Sequence, residues 1–213
     1  MPPPPSPAMS RRASRRLSVA LMVCGAATLA WALLVWQWRD PFTSLYTWLQ
    51  QRELAGRYEA FAASHPLSQT DLAATARRYR QQARRGDPIG RLRIERLGLD
   101  IVLVNGTDKA SLRKGPARDR RSFMPGEGKL VYVAGHRTTY LAPFGDIDRL
   151  RQGDRISIEV PYGTFTYAVT GHRIVEADNM SVLRSPERET LRLQACHPRF
   201  FASHRYIVFA KPV

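Results

Sequence analysis

From Asp87 onward the apolar residues of this chain change their spacing, and that change sets the fold class. Leu92-Arg93-Ile94-Glu95-Arg96-Leu97 opens an alternating run. Ile101–Val104, Lys129–Ala134, Arg155–Val160, Thr164–Val169, Thr190–Cys196 and Tyr206–Ala210 follow it. Each run is short, rich in β-branched or aromatic residues, and set off by Gly, Pro, Asn or Asp. Alternation with period two is what a strand with one wet and one dry face requires. Seven such runs within residues 87–213 predict a mainly β domain, either a sandwich or a barrel. Gly153-Asp154 and Tyr162-Gly163 mark a hairpin between two of them. Asp146–Leu150 and Asp178–Leu183 predict single helical turns.

Ahead of Asp87 the pattern is helical or absent. Residues 18–38 carry no charge, and about 20 mostly apolar residues span a bilayer. Arg11, Arg12, Arg15 and Arg16 precede this stretch. The positive-inside rule then predicts a cytoplasmic N-terminus and an extracellular remainder. Trp31, Trp36 and Trp38 gather toward its far end, the last two where an interfacial aromatic belt would lie. Its length and the lack of a small-x-small site predict a retained anchor rather than a cleaved signal peptide. Residues 1–17, rich in Pro, Ser and Arg, predict an unfolded basic tail. Residues 39–86 predict a helical stalk. Leu45, Trp48, Leu49 and Leu54 mark a helix over 43–63, and His65-Pro66 breaks it. Ser68-Gln69-Thr70-Asp71 is a capping-box-like start. Leu72, Ala76, Tyr79 and Ala83 recur at helical spacing before Gly86. The organisation is thus tail (1–17), anchor (18–38), stalk (39–86) and β domain (87–213).

The chain holds 33 Lys+Arg against 18 Asp+Glu, a formal charge of +15. Such an excess suits nucleic acid, anionic lipid or an anionic wall polymer. The Arg residues are scattered and no RRM or zinc-finger signature is present, so nucleic acid is not expected as a partner.

There are two cysteines. Cys24 lies in the apolar stretch and Cys196 in the β domain, so no intrachain disulfide is expected. An unpaired thiol in an oxidising compartment calls for an explanation. Cys196 ends the run Leu191–Cys196, and Pro198 stops regular pairing just beyond it. That presents the thiol at a strand end. His136 also stands where a strand becomes a loop, after Val131–Gly135, and imidazole suits acid–base work near neutral pH. His197 is adjacent to Cys196, and neighbours on an extended chain point to opposite faces, which makes it a poor base for that thiol. His172 and His204 have no partner at metal-ligand spacing, so no metal is expected. Arg205 follows Cys196 by a strand-to-strand separation and keeps its charge. It is the candidate for holding a carbonyl or an oxyanion. The order His before Cys argues against a papain-like protease.

These residues resemble those of the sortases, and most closely the class E sortases. The resemblance rests on Ala134-Gly135-His136-Arg137-Thr138-Thr139-Tyr140 with Ala142-Pro143-Phe144, and on Cys196-His197-Pro198 with Arg205. Gly86-Asp87-Pro88-Ile89-Gly90-Arg91-Leu92, Leu150–Asp154 and Phe165-Thr166-Tyr167 add to it. Three stretches depart from the family pattern. Gln194-Ala195 stand where the family has Thr before the Cys, Ala117-Arg118-Asp119 where it has Gly-His-Tyr, and Lys129 where Asn is common. The resemblance implies a closed β-barrel of about eight strands. It implies a transpeptidase in which Cys196 is the nucleophile, His136 the acid–base group and Arg205 the oxyanion holder. The substrates implied are secreted proteins with a C-terminal sorting signal of the Leu-Ala-x-Thr-Gly or Leu-Pro-x-Thr-Gly type, cut between Thr and Gly. The acceptor implied is a cell-wall precursor amine, with no cofactor. Two alternatives use the same sequence: a hydrolase with water as acceptor, and a non-catalytic β-domain that binds wall polymer.

Overall fold

The computed structural model describes residues 11–37, 41–64 and 71–213. They divide into two compact units, Met1–Arg39 and Asp40–Val213. In the first, α1 (Arg11–Gln37) contains a segment, Ser14–Leu33, long and apolar enough by length and composition to cross a membrane. α1 begins inside the stretch expected to be an unfolded tail. Arg and Ala are good helix formers, and a nucleated helix gains one hydrogen bond for each residue added. The expectations for residues 1–10, Trp38, the His65-Pro66 break and Ser68–Thr70 lie outside the described residues.

The second unit runs α2 (Pro41–Ser64), α3 (Leu72–Gln82), β1 (Pro88–Ile94), β2 (Leu99–Asn105), α4 (Lys109–Lys114), β3 (Ala117–Arg118), β4 (Leu130–Ala134), β5 (Arg155–Val160), β6 (Gly163–Glu176), β7 (Thr190–His197) and β8 (His204–Pro212). The strands close into a barrel in the order β1-β2-β3-β4-β7-β8-β6-β5. Of sandwich and barrel, then, the barrel forms. β2–β3 and β4–β7 run parallel, and the other pairs are antiparallel. A barrel of this strand number is just wide enough for its own side chains to fill. Leu92, Ile94, Val131, Val133, Ile156, Ile158, Leu191 and Leu193 do so, fully buried.

Each predicted run is a strand, and the eighth, β3, is only two residues long. Two residues carry no readable period. α4, also unforeseen, is capped by Asp108, whose carboxylate accepts from the Ser111 N–H (3.2 Å) and Oγ (2.7 Å). β6 continues past the expected Val169 to Glu176, across a register irregularity between Val169 and Gly171. Ile147–Arg149 and Met180–Leu183 form single 3-10 turns.

The helices expected as a stalk are part of the barrel's own unit. Leu54 and Tyr58 of α2, and Ala76 and Tyr79 of α3, are buried. Leu54 packs with Val102, Val104 and Ala117, while Ala76 and Tyr79 join the main core. The Gln51 side chain binds like a strand neighbour. Its Nε2 donates to the Val102 carbonyl (3.1 Å) and the Lys114 carbonyl (2.8 Å), and its Oε1 accepts from the Val102 N–H (2.8 Å). Apolar faces that would be wet on a free stalk are dry here, which is the driving force for docking.

Candidate active site

Side-chain alternation sorts β4, β7 and β8 into two faces. Val131, Val133, Leu191, Leu193, Ala195, Tyr206 and Val208 belong to the interior cluster. Leu130, Tyr132 and Ile207 form a separate outer cluster with Val175, Val182, Leu183 and Phe209. Cys196 shares a parity with Arg192 and Gln194, and Arg205 with Ile207 and Phe209, so both lie on the outer face. Cys196 pairs directly with Arg205 across the antiparallel ladder. Residues so paired have Cβ atoms about 4.5–5.5 Å apart.

The parallel β4–β7 ladder brings the third segment to the same level. Ala134 pairs with Gln194, and the Gly135 N–H donates to the Gln194 carbonyl (3.0 Å). Two residues further along each strand stand His136 and Cys196. The ends of β4 and β7 and the start of β8 thus converge at one rim of the barrel, and His136, Cys196 and Arg205 are each half-buried there.

The His136 ring lies against Tyr140, with centroids 4.9 Å apart. Burial, and then the charge of Arg113, hold its pKa below the ordinary histidine value. Both effects favour the uncharged imidazole. Arg113 also stands over the Tyr140 ring, 5.8 Å from its centroid. The loop here is strained. Tyr140, Leu141 and Ala142 take φ values of 52°, 63° and 41°, a left-handed run without glycine. Helix α2 holds it, because the Tyr140 N–H donates to Thr43 Oγ1 (3.0 Å) and the Tyr46 and Tyr140 rings meet edge to face at 6.4 Å.

Arg205 Nη1 donates to the carbonyls of Ala202 (2.7 Å) and His204 (2.9 Å), which fixes the guanidinium over the β7–β8 loop. The loop carries Phe200 and Phe201 exposed to solvent. The opposite side of the face is covered by the β6–β7 connection. Arg192 Nη1 grips the Val182 carbonyl (2.5 Å) and the Arg184 carbonyl (3.1 Å), and Ser185 Oγ accepts from the Leu130 N–H (2.9 Å).

The departures from the family pattern are all accommodated. The Tyr132 hydroxyl donates to Gln194 Oε1 (2.5 Å), and Ala195 points inward. Arg118 is buried between the Asn105 side chain (2.7 Å) and the Ser122 carbonyl (2.5 Å). Desolvation, with the charge of Arg80, lowers its pKa to about 10. Lys129 is exposed.

The remaining histidines have other partners. His204 Nε2 pairs with Glu176 (3.2 Å), and His172 stacks on Tyr206 at 4.9 Å. His197 faces away from Cys196, toward Arg137 (2.9 Å). Among the described residues, no group of three or more His, Cys, Asp or Glu is placed to hold a metal ion. Both cysteines are free.

Arg137, Tyr140 and Arg113 were not singled out from the sequence. The first two sit in the stretch that contains His136. Their only signal was that proximity, because their partners are brought in from distant strands and from α2.

Known proteins share this fold. The sortase domain family matches residues 92–213, more than half of the chain. Sortase D of Bacillus subtilis (strain 168) is 29% identical over 178 residues, covering 82% of this chain and 87% of that protein. Sortase SrtE1 of Streptomyces coelicolor is 31% identical over 90 residues, covering 38% and 26%. The structure of sortase E from Streptomyces avermitilis superposes with a TM-score of 0.55 at 30% identity, covering 61% of this chain and 90% of that one. The Clostridium perfringens Sortase D5 transpeptidase reaches 0.66 at 23% identity, covering 77% and 98%, and shows the shared fold. A barrel of this topology, with a His and a Cys–Arg pair at one rim and a family match across all its strands but the first residues of β1, makes the chain a member of the sortase family, cysteine transpeptidases by trade.

Proposed function

We propose that this sortase cuts a C-terminal sorting signal between Thr and Gly and transfers the protein to a cell-wall precursor amine. The Cys196 sulfur attacks the Thr carbonyl carbon as its proton passes to the uncharged His136 imidazole. The C–N bond to Gly breaks, and His136 delivers a proton to the departing amine. A thioester remains on Cys196. The incoming amine then attacks it and gives its proton to His136, and the leaving sulfur takes that proton back, which restores the thiol and the neutral imidazole. Arg205 aims its guanidinium at the oxyanion that develops in both steps, worth about 3 kcal/mol by analogy with other oxyanion donors. The single observation behind this reading is the register. Cys196 and Arg205 are cross-strand partners, and the parallel ladder delivers His136 to the same rim.

The resemblance to class E motifs favours a signal of the Leu-Ala-x-Thr-Gly or Leu-Pro-x-Thr-Gly type. The span in α1 and the arginines ahead of it favour a single-pass anchor with the barrel outside the cell. Secreted proteins bearing the signal, the wall amine and the bilayer are then its partners.

The test uses the full chain in detergent, both peptide types and an added amine, read by product mass. Transfer gives the amine adduct, whereas hydrolysis gives the free acid only. Cys196→Ala and His136→Ala should lose nearly all turnover, and Arg205→Ala about 100- to 1,000-fold. Full activity in Cys196→Ala would sink the reading and leave a wall-binding domain in its place.

A further inference from the structure

Behind the proposed reacting face, one side chain touches all three chain segments. Arg137 follows His136, and alternation turns it to the opposite side. Its guanidinium is almost wholly buried, with 4% of the side chain exposed. Nη1 donates to the Cys196 carbonyl (3.3 Å) and to His197 Nδ1 (2.9 Å). Nη2 pairs with Asp148 (2.9 Å) on the Ile147–Arg149 turn. The guanidinium also stands over the ring of Tyr206, 5.6 Å from its centroid, and Tyr206 is the residue after Arg205. His172 also stacks on Tyr206. One planar cation therefore links the residue after His136, the carbonyl of Cys196 and the residue after Arg205.

Stability alone is a poor reason to keep this group. A buried charge costs several kcal/mol to desolvate, and apolar replacements of buried ion pairs are often neutral or stabilising. Here the cost is raised by Nε–H, which is buried without an acceptor. What a fork-shaped cation supplies, and an apolar side chain cannot, is fixed geometry between several acceptors.

We propose that Arg137 is a positioning residue for the reaction, registering the His136, Cys196 and Arg205 segments against one another from behind. The assignment rests on Cys196 and His136 being the reacting pair. Arg137 contributes no group to the substrate. It sets the backbone of Cys196, and through it the direction of the sulfur. Misplacement of reacting atoms by about 1 Å costs on the order of 100-fold in rate.

The test compares Arg137→Met, Arg137→Lys and Asp148→Asn in the full chain, with kcat and KM measured on sorting peptides well below each variant's melting temperature. Asp148→Asn loosens the guanidinium and decides the question if the Arg137 variants fold poorly; because Asp148 also faces Arg199 of the β7–β8 loop (3.9 Å), Arg199→Ala is measured beside it as the control for that second contact. The expected result is a fall in kcat of about 10- to 100-fold for Met, less for Lys, and less again for Asn, with KM within twofold. Rates of Cys196 alkylation by iodoacetamide should stay within a few-fold, because the thiol remains present and accessible. Wild-type kcat in a folded Arg137→Met, or a loss wholly accounted for by unfolded protein, overturns the proposal. Wild-type turnover in Cys196→Ala would instead overturn the reading beneath it, so the two failures are separable.

Discussion

Gly135 stands between the last residue of β4 and His136, and a Cβ placed on it would meet the Phe144 ring at 2.6 Å. Phe144 is fully buried and its N–H donates to the His136 carbonyl (3.1 Å). The ring cannot retreat without moving the histidine. Gly135→Ala should therefore cost about 1–3 kcal/mol of stability, as overpacking does, and also lower turnover. Urea unfolding alongside peptide assays checks both. Protonation acts at the same scale. His136 and His197 both have pKa values held below the ordinary histidine value. Burial is the first cause in each, joined by Arg113 for His136 and by Arg137 for His197. A histidine whose folded value is depressed is protonated first in the unfolded chain. Stability is then full above about 6.5 and falls as pH drops below it toward the folded values. Thermal unfolding between pH 7.5 and 5 should show this fall, and His136→Gln should make it shallower. An unchanged slope in that variant would mean the burial of His136 is not felt.

At the scale of elements, α2 belongs to the site. Gln51 closes three hydrogen bonds to β2 and to the end of α4, and Thr43 and Tyr46 brace the strained turn beside His136. Removing a half-buried amide that satisfies three backbone groups leaves those groups unpaired, at about 1–3 kcal/mol. Gln51→Ala should lower the urea midpoint accordingly, with the m-value unchanged. None of this was legible from the helical spacing of Leu45, Trp48, Leu49 and Leu54. That pattern predicts a helix but not what it lies on. Leu45, Trp48 and Leu49 are in fact exposed, and Leu54 and Tyr58 carry the burial. The strands read more easily, since each half-wet run shows its own period two. β3 did not, because pairing partners rather than periodicity define it. The site followed the same division. His136, Cys196 and Arg205 were legible as candidates at strand ends, and the structure brings their segments to one rim, whereas Arg137 becomes a candidate only once β4 and β7, about sixty residues apart in sequence, lie side by side.

For the whole molecule the decisive feature is the shared core beneath the rim. Leu193 is fully buried in β7, between β4 and β8. Leu193→Ala would open a cavity under all three strands that carry the site, at about 2–5 kcal/mol. It should lower both the unfolding midpoint and turnover at temperatures where the protein is still mostly folded. Far-ultraviolet circular dichroism during the assay separates the two effects.

The barrel order also sets a sequence of assembly. β7 and β8 fill the gap between β4 and β6: β7 pairs with β4 and not with β6, which precedes it in the chain, and β8 closes against β6. A nascent polypeptide that has emerged only as far as β6 owns the imidazole but neither the thiol nor its cationic neighbour, and it presents two open edges. On the proposed roles, a barrel that lacks this final hairpin has no reacting rim and should not cleave the sorting peptides.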